Sequence, residues 1–323
     1  MKKNIIIIST LAIFAVSAYG ISTTNIFENQ EQDEPLQVID SQEPSPSEVA
    51  IIKEEDNTDE TIAAPPARED SAISNDASYI SFSDTPLEFP VGELIDTISS
   101  VPDVVEIDGD LYVYMTGRFI SQLSYVYSND DGATWTDQAP LEIEGIDKEM
   151  IPVDPSVIEL PDGRYRLYFF NMKVKPPGVE TQDVSVFYSA ISDDGVTFEM
   201  ESGHRLMSDA PITDPNVIWT NENEWLMYFA SEEGIGLATS TDGLNFEMQT
   251  HLGVDGIPGA MVLDDGSIRL YACGKSGTSQ NGIDFEMDAI PKAFGCGPSL
   301  IKYKEGYVMV YKALIDEAKA PEL

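Results

Sequence analysis

Three aspartates stand beside prolines at the head of apolar runs. They occur in Pro102-Asp103-Val-Val-Glu-Ile107, Asp154-Pro-Ser-Val-Ile158 and Asp214-Pro-Asn-Val-Ile218. If these runs are the inner strands of neighbouring units, the carboxylates converge on one opening. Carboxylates gathered in this way can cleave a glycosidic bond: one protonates the departing oxygen, and another attacks or activates water. Repulsion and partial burial would lift at least one pKa and leave a proton donor near neutral pH. The same side chains have a structural use, because Asp beside Pro caps strand entries and turns. They could also offer oxygen ligands to a structural calcium ion.

Bringing distant aspartates together requires a repeating scaffold, and the sequence carries one. Four copies of a short motif recur: Ser128–Trp135, Ser192–Phe198, Ser240–Phe246 and Ser279–Phe285. Each has a Ser, a Gly within a polar turn, and an aromatic three residues after the Gly. Asp-Gly and Asn-Gly favour hairpins, because Gly takes positive φ freely and the Asx side chain bonds nearby backbone. We expect a structural rather than a chemical role for these motifs. Three strand-like runs precede each copy, for example Asp154–Ile158, Tyr165–Phe170 and Val184–Tyr188. Four short strands per unit of 40 to 60 residues is the pattern of a β-propeller blade. A fifth unit begins at Gly297-Pro-Ser-Leu-Ile301 and stops before any motif, while Ser74–Tyr79 reads as a degraded copy. The expected fold is all-β, a five-bladed propeller over residues 73–323, with its last blade completed by the N-terminal segment.

The motif resembles the Asp box of sialidase-like propellers, with Asn281 replacing Asp in the last copy. The blade openings Asp154-Pro and Asp214-Pro resemble those of five-bladed glycosidases of the arabinanase and fructosidase type. That resemblance implies a base at Asp103 and a pKa-tuning carboxylate at Asp154 or Asp214. It implies a Glu acid before a Gly-Pro, where the nearest residue here is Asp255, with Glu149 a weaker substitute. Trp219 and the second-strand tyrosines Tyr114, Tyr168 and Tyr228 are candidates to stack on sugars, although the tyrosines suit the core between blades better. The sialidase resemblance implies three arginines gripping a substrate carboxylate. Arg118 is the best of the available arginines, and no Phe-Arg-Ile-Pro-type opening is present. The expectation is therefore a glycan-acting hydrolase. The alternatives are a non-enzymatic propeller that binds a glycan or a protein and, less well supported, an exo-sialidase. The long insertion Asn171–Gln182 is a candidate rim loop, the kind of element that carries specificity.

The first 20 residues pair Lys2 and Lys3 with the apolar run Ile5–Tyr19, followed by little that could fold. This reads as a signal peptide with a cleavage site near Val16-Ser-Ala18, or else as an uncleaved membrane anchor. Residues 21–72 are acidic, Pro-rich and poor in aromatics, and read as a disordered tether. An extracellular or cell-surface monomer with a carbohydrate ligand is expected. The chain holds 57 Asp and Glu against 18 Lys and Arg, a net charge of −39. Such a surface disfavours nucleic acid and acidic lipid. Cys273 and Cys296, the whole cysteine complement, could pair between neighbouring blades. His204 and His251 stand alone, so no zinc-type spacing and no organic cofactor motif is found.

Overall fold

The computed structural model describes residues 76–119, 122–172, 185–220, 224–288 and 295–314. The expected signal peptide, the tether and most of the 171–182 insertion lie outside them. The described residues form five sheets, antiparallel except for one added strand in blade 2, and no helix. Each sheet has one innermost strand: Ser100–Ile107 in blade 1, Pro152–Glu159 in blade 2, Ile212–Trp219 in blade 3, Pro258–Val262 in blade 4 and Cys296–Tyr303 in blade 5. Blades 1, 3 and 4 run outward through three further strands in chain order. Blade 2 gains Glu142–Glu144, laid parallel on its outermost strand, and Leu206–Ser208. Blade 5 combines the last two described strands with Asp76–Ser83 and Glu93–Asp96, and Asp76–Ser83 pairs along its whole length with Gly306–Leu314.

Alternating apolar positions on both faces of each sheet fill the seams between blades. Five apolar clusters form among the described residues, one for each seam. Val105, Tyr114, Leu167 and Phe198 join blade 1 to blade 2; Met261, Tyr271 and Met309 join blade 4 to blade 5. Burying a Leu or Phe side chain stabilises by about 1.5–3 kcal/mol, so these clusters are the main adhesive of the ring.

The four motifs tie each turn down and then dock it on the neighbouring blade. In the second copy the Ser192 hydroxyl donates to Asp194 at 2.9 Å, and the Asp194 carboxylate accepts the Val196 and Thr197 amides at 2.8 and 2.9 Å. Burial opposes ionisation of Asp194, but these bonds outweigh it and hold its pKa below the usual carboxylate range. In the last three copies the motif glycine then offers its carbonyl to a tyrosine of the preceding blade; in the first, Tyr303 of blade 5 donates to Asp131 instead, at 2.8 Å. Tyr114 donates to Gly195 at 2.8 Å, Tyr168 to Gly243 at 2.8 Å, and Tyr228 to Gly282 at 2.9 Å. The motif aromatics meet the same tyrosines edge-on: Phe198 on Tyr114, Phe246 on Tyr168 and Phe285 on Tyr228. These tyrosines are therefore buried seam residues.

The blade 4–blade 5 seam is built differently. Cys273, just beyond the second strand of blade 4, forms a disulfide with Cys296, the first residue of the innermost strand of blade 5. The bridge closes a loop of modest length, which restricts the unfolded chain. We expect Cys273→Ser with Cys296→Ser to lower unfolding free energy by about 3 kcal/mol. Guanidinium titration of the wild-type and double-variant proteins measures this; coincident unfolding curves would show that the bridge contributes nothing.

Candidate active site

The mouth of the ring is organised by a tripeptide repeated in every blade, a residue, a proline and a second residue: Val101-Pro102-Asp103, Asp154-Pro155-Ser156, Asp214-Pro215-Asn216, Ile257-Pro258-Gly259 and Gly297-Pro298-Ser299. Innermost strands are sheet edges, so a proline there costs no ladder bond on its channel side. Four of the five strands slip register across this tripeptide, as in a β-bulge. The residue before the proline takes a left-handed φ in the same four blades: Val101 at 47°, Asp154 at 55°, Asp214 at 52° and Gly297 at 58°. Asp and Asn tolerate this region better than most side chains, which explains why aspartate suits the position sterically.

The residue after the proline reaches across the seam. Its side chain accepts the amide of the next blade: Asp103 from Val157 at 2.7 Å, Ser156 from Val217 at 3.1 Å, Asn216 from Ala260 at 2.8 Å, and Ser299 from Val104 at 3.2 Å. Gly259 has no side chain to contribute. A Cβ there would lie 1.9 Å from the Pro298 carbonyl oxygen, so blades 4 and 5 approach too closely for one.

This register corrects one expectation. Asp103 does not share the position of Asp154 and Asp214; it follows its proline, and they precede theirs. Asp103 is 4% exposed. It takes the Val157 amide and a bond from the Ser299 hydroxyl. Burial dominates these favourable bonds and pushes its pKa up to about 7. Its carboxyl is a cross-blade tie to blade 2, at the inner end of the axial cavity.

Asp154 and Asp214 are brought together. Burial and the Asp214 charge raise the Asp154 pKa well above the carboxylate range, against the pull of Lys312 and the Asp214 backbone amide. Burial also raises Asp214, opposed by the Thr213 hydroxyl bond and by Lys312. Asp154 keeps some solvent contact, while Asp214 is nearly covered. The Asp154 amide donates to the Thr116 hydroxyl of blade 1 at 2.9 Å. Lys312, from the second strand of blade 5, also lies 3.3 Å from the Ser100 hydroxyl and 3.9 Å from Asp76. The mouth therefore holds two interacting carboxyls with a lysine close enough to bias them. Nothing in the sequence singled out Lys312; only its pairing opposite Cys296 and Ser78 places it at this end of the strand.

The other expected residues lie elsewhere. Asp255 has an 87% exposed side chain and faces Lys275 at 3.6 Å. Glu149 is exposed in the loop ahead of blade 2. Arg118 forms an ion pair with Asp96 at 3.3 Å. Trp219 ends the strand that Asp214 nearly begins, about 17 Å further along at 3.3 Å per residue, and packs on Trp225. Among the described residues, no group of three or more His, Cys, Asp or Glu side chains is placed to share a metal ion.

No protein-family model and no curated protein sequence matches this chain. Solved structures do resemble it in fold. A protein of unknown function from Dyadobacter fermentans aligns at a TM-score of 0.51 and 14% identity, covering 70% of this chain and 80% of that one. A GH32 β-fructofuranosidase from Bombyx mori aligns at 0.50 and 14%, covering 72% of this chain and 56% of the other. An α-L-arabinofuranosidase from Clostridium thermocellum aligns at 0.50 and 14%, covering 66% and 81%. The likeness is one of fold.

A raised carboxyl pKa gives stability a definite pH dependence. Well below pH 3.8 Asp103 is protonated in both the folded and the unfolded chain. Between an ordinary value of 3.8 and about 7, the unfolded chain releases that proton while the folded chain keeps it. Folding stability therefore falls as pH rises through this window, by up to about 1.4 kcal/mol per pH unit. Asp103→Asn should flatten the decline over pH 4–7, measured by urea unfolding at several pH values. An unchanged slope would mean that Asp103 titrates normally.

Proposed function

We propose that this chain is an exported, glycan-acting hydrolase whose acid–base pair is Asp154 and Asp214. The observation that carries the proposal is the meeting of these two carboxyls at the mouth, where burial and mutual repulsion favour one shared proton. In the singly protonated pair, one carboxyl is a donor for the glycosidic oxygen and the other a base for water. Lys312 stabilises the ionised partner. The fold shared with a β-fructofuranosidase and an α-L-arabinofuranosidase supports a furanoside-type substrate. The basic-then-apolar N-terminus and the Cys273–Cys296 bridge support export to an oxidising compartment.

A non-enzymatic glycan-binding propeller is the second reading. It is favoured by the position of Asp255, which faces solvent beside Lys275 and leaves the acid implied by the glycosidase resemblance without a counterpart at the mouth. An exo-sialidase has less support. Arg118, Arg164, Arg166 and Arg269 are committed to Asp96, Asp162, Glu201 and Asp288, and Arg205 donates to the Ser202 carbonyl.

Hydrolysis of a panel of pentofuranosides and fructosides should be detectable, with a bell-shaped pH profile. Asp154→Asn and Asp214→Asn should each lower kcat by roughly 10²–10⁴-fold. Full activity in both variants would remove the pair from the reaction. Glycan binding without turnover in the wild-type protein would establish the second reading.

A further inference from the structure

A cavity of about 590 Å³ runs along the ring axis on the side of the prolines away from Asp154. All five innermost strands line it, and it opens where they end. At the level of Pro102, Pro155, Pro215, Pro258 and Pro298 the free space shrinks to about 10 Å³. The cavity is therefore a blind well rather than a through-channel, and its size falls within the range of small-molecule sites.

Three features of the well bear on what it could hold. First, each innermost strand pairs on one side only, so its remaining backbone donors and acceptors face the axis and need partners. Second, Trp219 lines the well while Trp225 backs it, with ring centroids 6.1 Å apart. The indole is held from behind and keeps partial exposure. Third, the opening carries Glu106, Asp108 and Glu159. All three act on Tyr165, whose pKa is raised first by burial and then by these charges, so they surround one spot. The lining cation Lys302 is paired with Asp264 at 2.8 Å.

We propose that this well is a second carbohydrate-binding site, non-catalytic and on the opposite face from the Asp154–Asp214 mouth. Polyhydroxylated rings suit such a lining. Their hydroxyls donate to carboxylates and carbonyls, and their C–H faces pack on a fixed indole. The negative opening repels uronates and sulfated sugars, so the ligand is the end of a neutral oligosaccharide. The site stands whether or not the mouth is catalytic. A hydrolase with both would hold a glycan chain at one face while cleaving at the other.

The test titrates the full chain with neutral tri- to hexasaccharides of pentoses and hexoses, following tryptophan fluorescence and calorimetric heat. The expected result is saturable binding that shifts the fluorescence. Trp219→Ala and Glu159→Gln should each weaken it at least tenfold, and Asp214→Asn should leave it unchanged. Glu159 is an exposed rim residue, so its variant reports on the site even if Trp219→Ala fails to fold. Absence of saturable binding to every probe would overturn the proposal. So would binding that survives Glu159→Gln unaltered, or binding that disappears with Asp214→Asn, which would locate it at the mouth.

Discussion

The side chain that follows each inner-strand proline, and the neighbouring amide it accepts, fix the centre of this molecule. Apolar contacts supply most of the adhesion between blades but specify no angle, and the tyrosine bonds to the motif glycines lie further from the axis. Asp103, Ser156, Asn216 and Ser299 supply directional bonds at four seams. Leaving any one of those buried amides without an acceptor would cost about 1–3 kcal/mol, so the blades are locked in register at the narrowest point of the ring. At the fifth seam Gly259 allows the Pro298 carbonyl to approach instead, and the Cys273–Cys296 bridge lies across the same pair of blades. A covalent link thus stands at the seam where no side chain follows the proline to accept a neighbouring amide.

This lock divides the axis in two. On one side the residues ahead of the prolines are turned into left-handed backbone, and two of them are the aspartates that interact. Strained, sparsely populated backbone persists only where the surroundings enforce it, and it concentrates at functional sites. On the other side the strands run on regularly to a wider well. The separation explains why Trp219 and Asp214, only five residues apart, belong to different faces.

Much of the scaffold was legible because it depends on local chemistry. Ser-x-Asp-Gly turns and apolar runs repeat, and the number and order of the blades follow from them. Phe198, Phe246 and Phe285 of the motifs dock on tyrosines of the preceding blade. That is a long-range contact, and local spacing does not encode it. The candidate site was read less well. Pro102-Asp103 and Asp154-Pro155 look alike as a proline beside an acid, but the reversed order moves the carboxyl by two residues across a bulge. Superposing the prolines would have grouped Asp103 with Ser156, Asn216, Gly259 and Ser299, all small or polar, and exposed its structural use. Asp255 failed for a related reason: it precedes its proline by three residues and falls on the outside. Lys312 carries no motif, and only the pairing of sheet strands brings it to the mouth.

The central claim is that cross-blade acceptors hold the inner strands as one unit, and native-state hydrogen exchange tests it most directly. The amides of Val104, Val157, Val217 and Ala260 should exchange only through global unfolding, with a shared free energy that falls together as denaturant is added. Exchange of these four amides through separate local openings, at rates approaching those of exposed loop amides, would contradict the account.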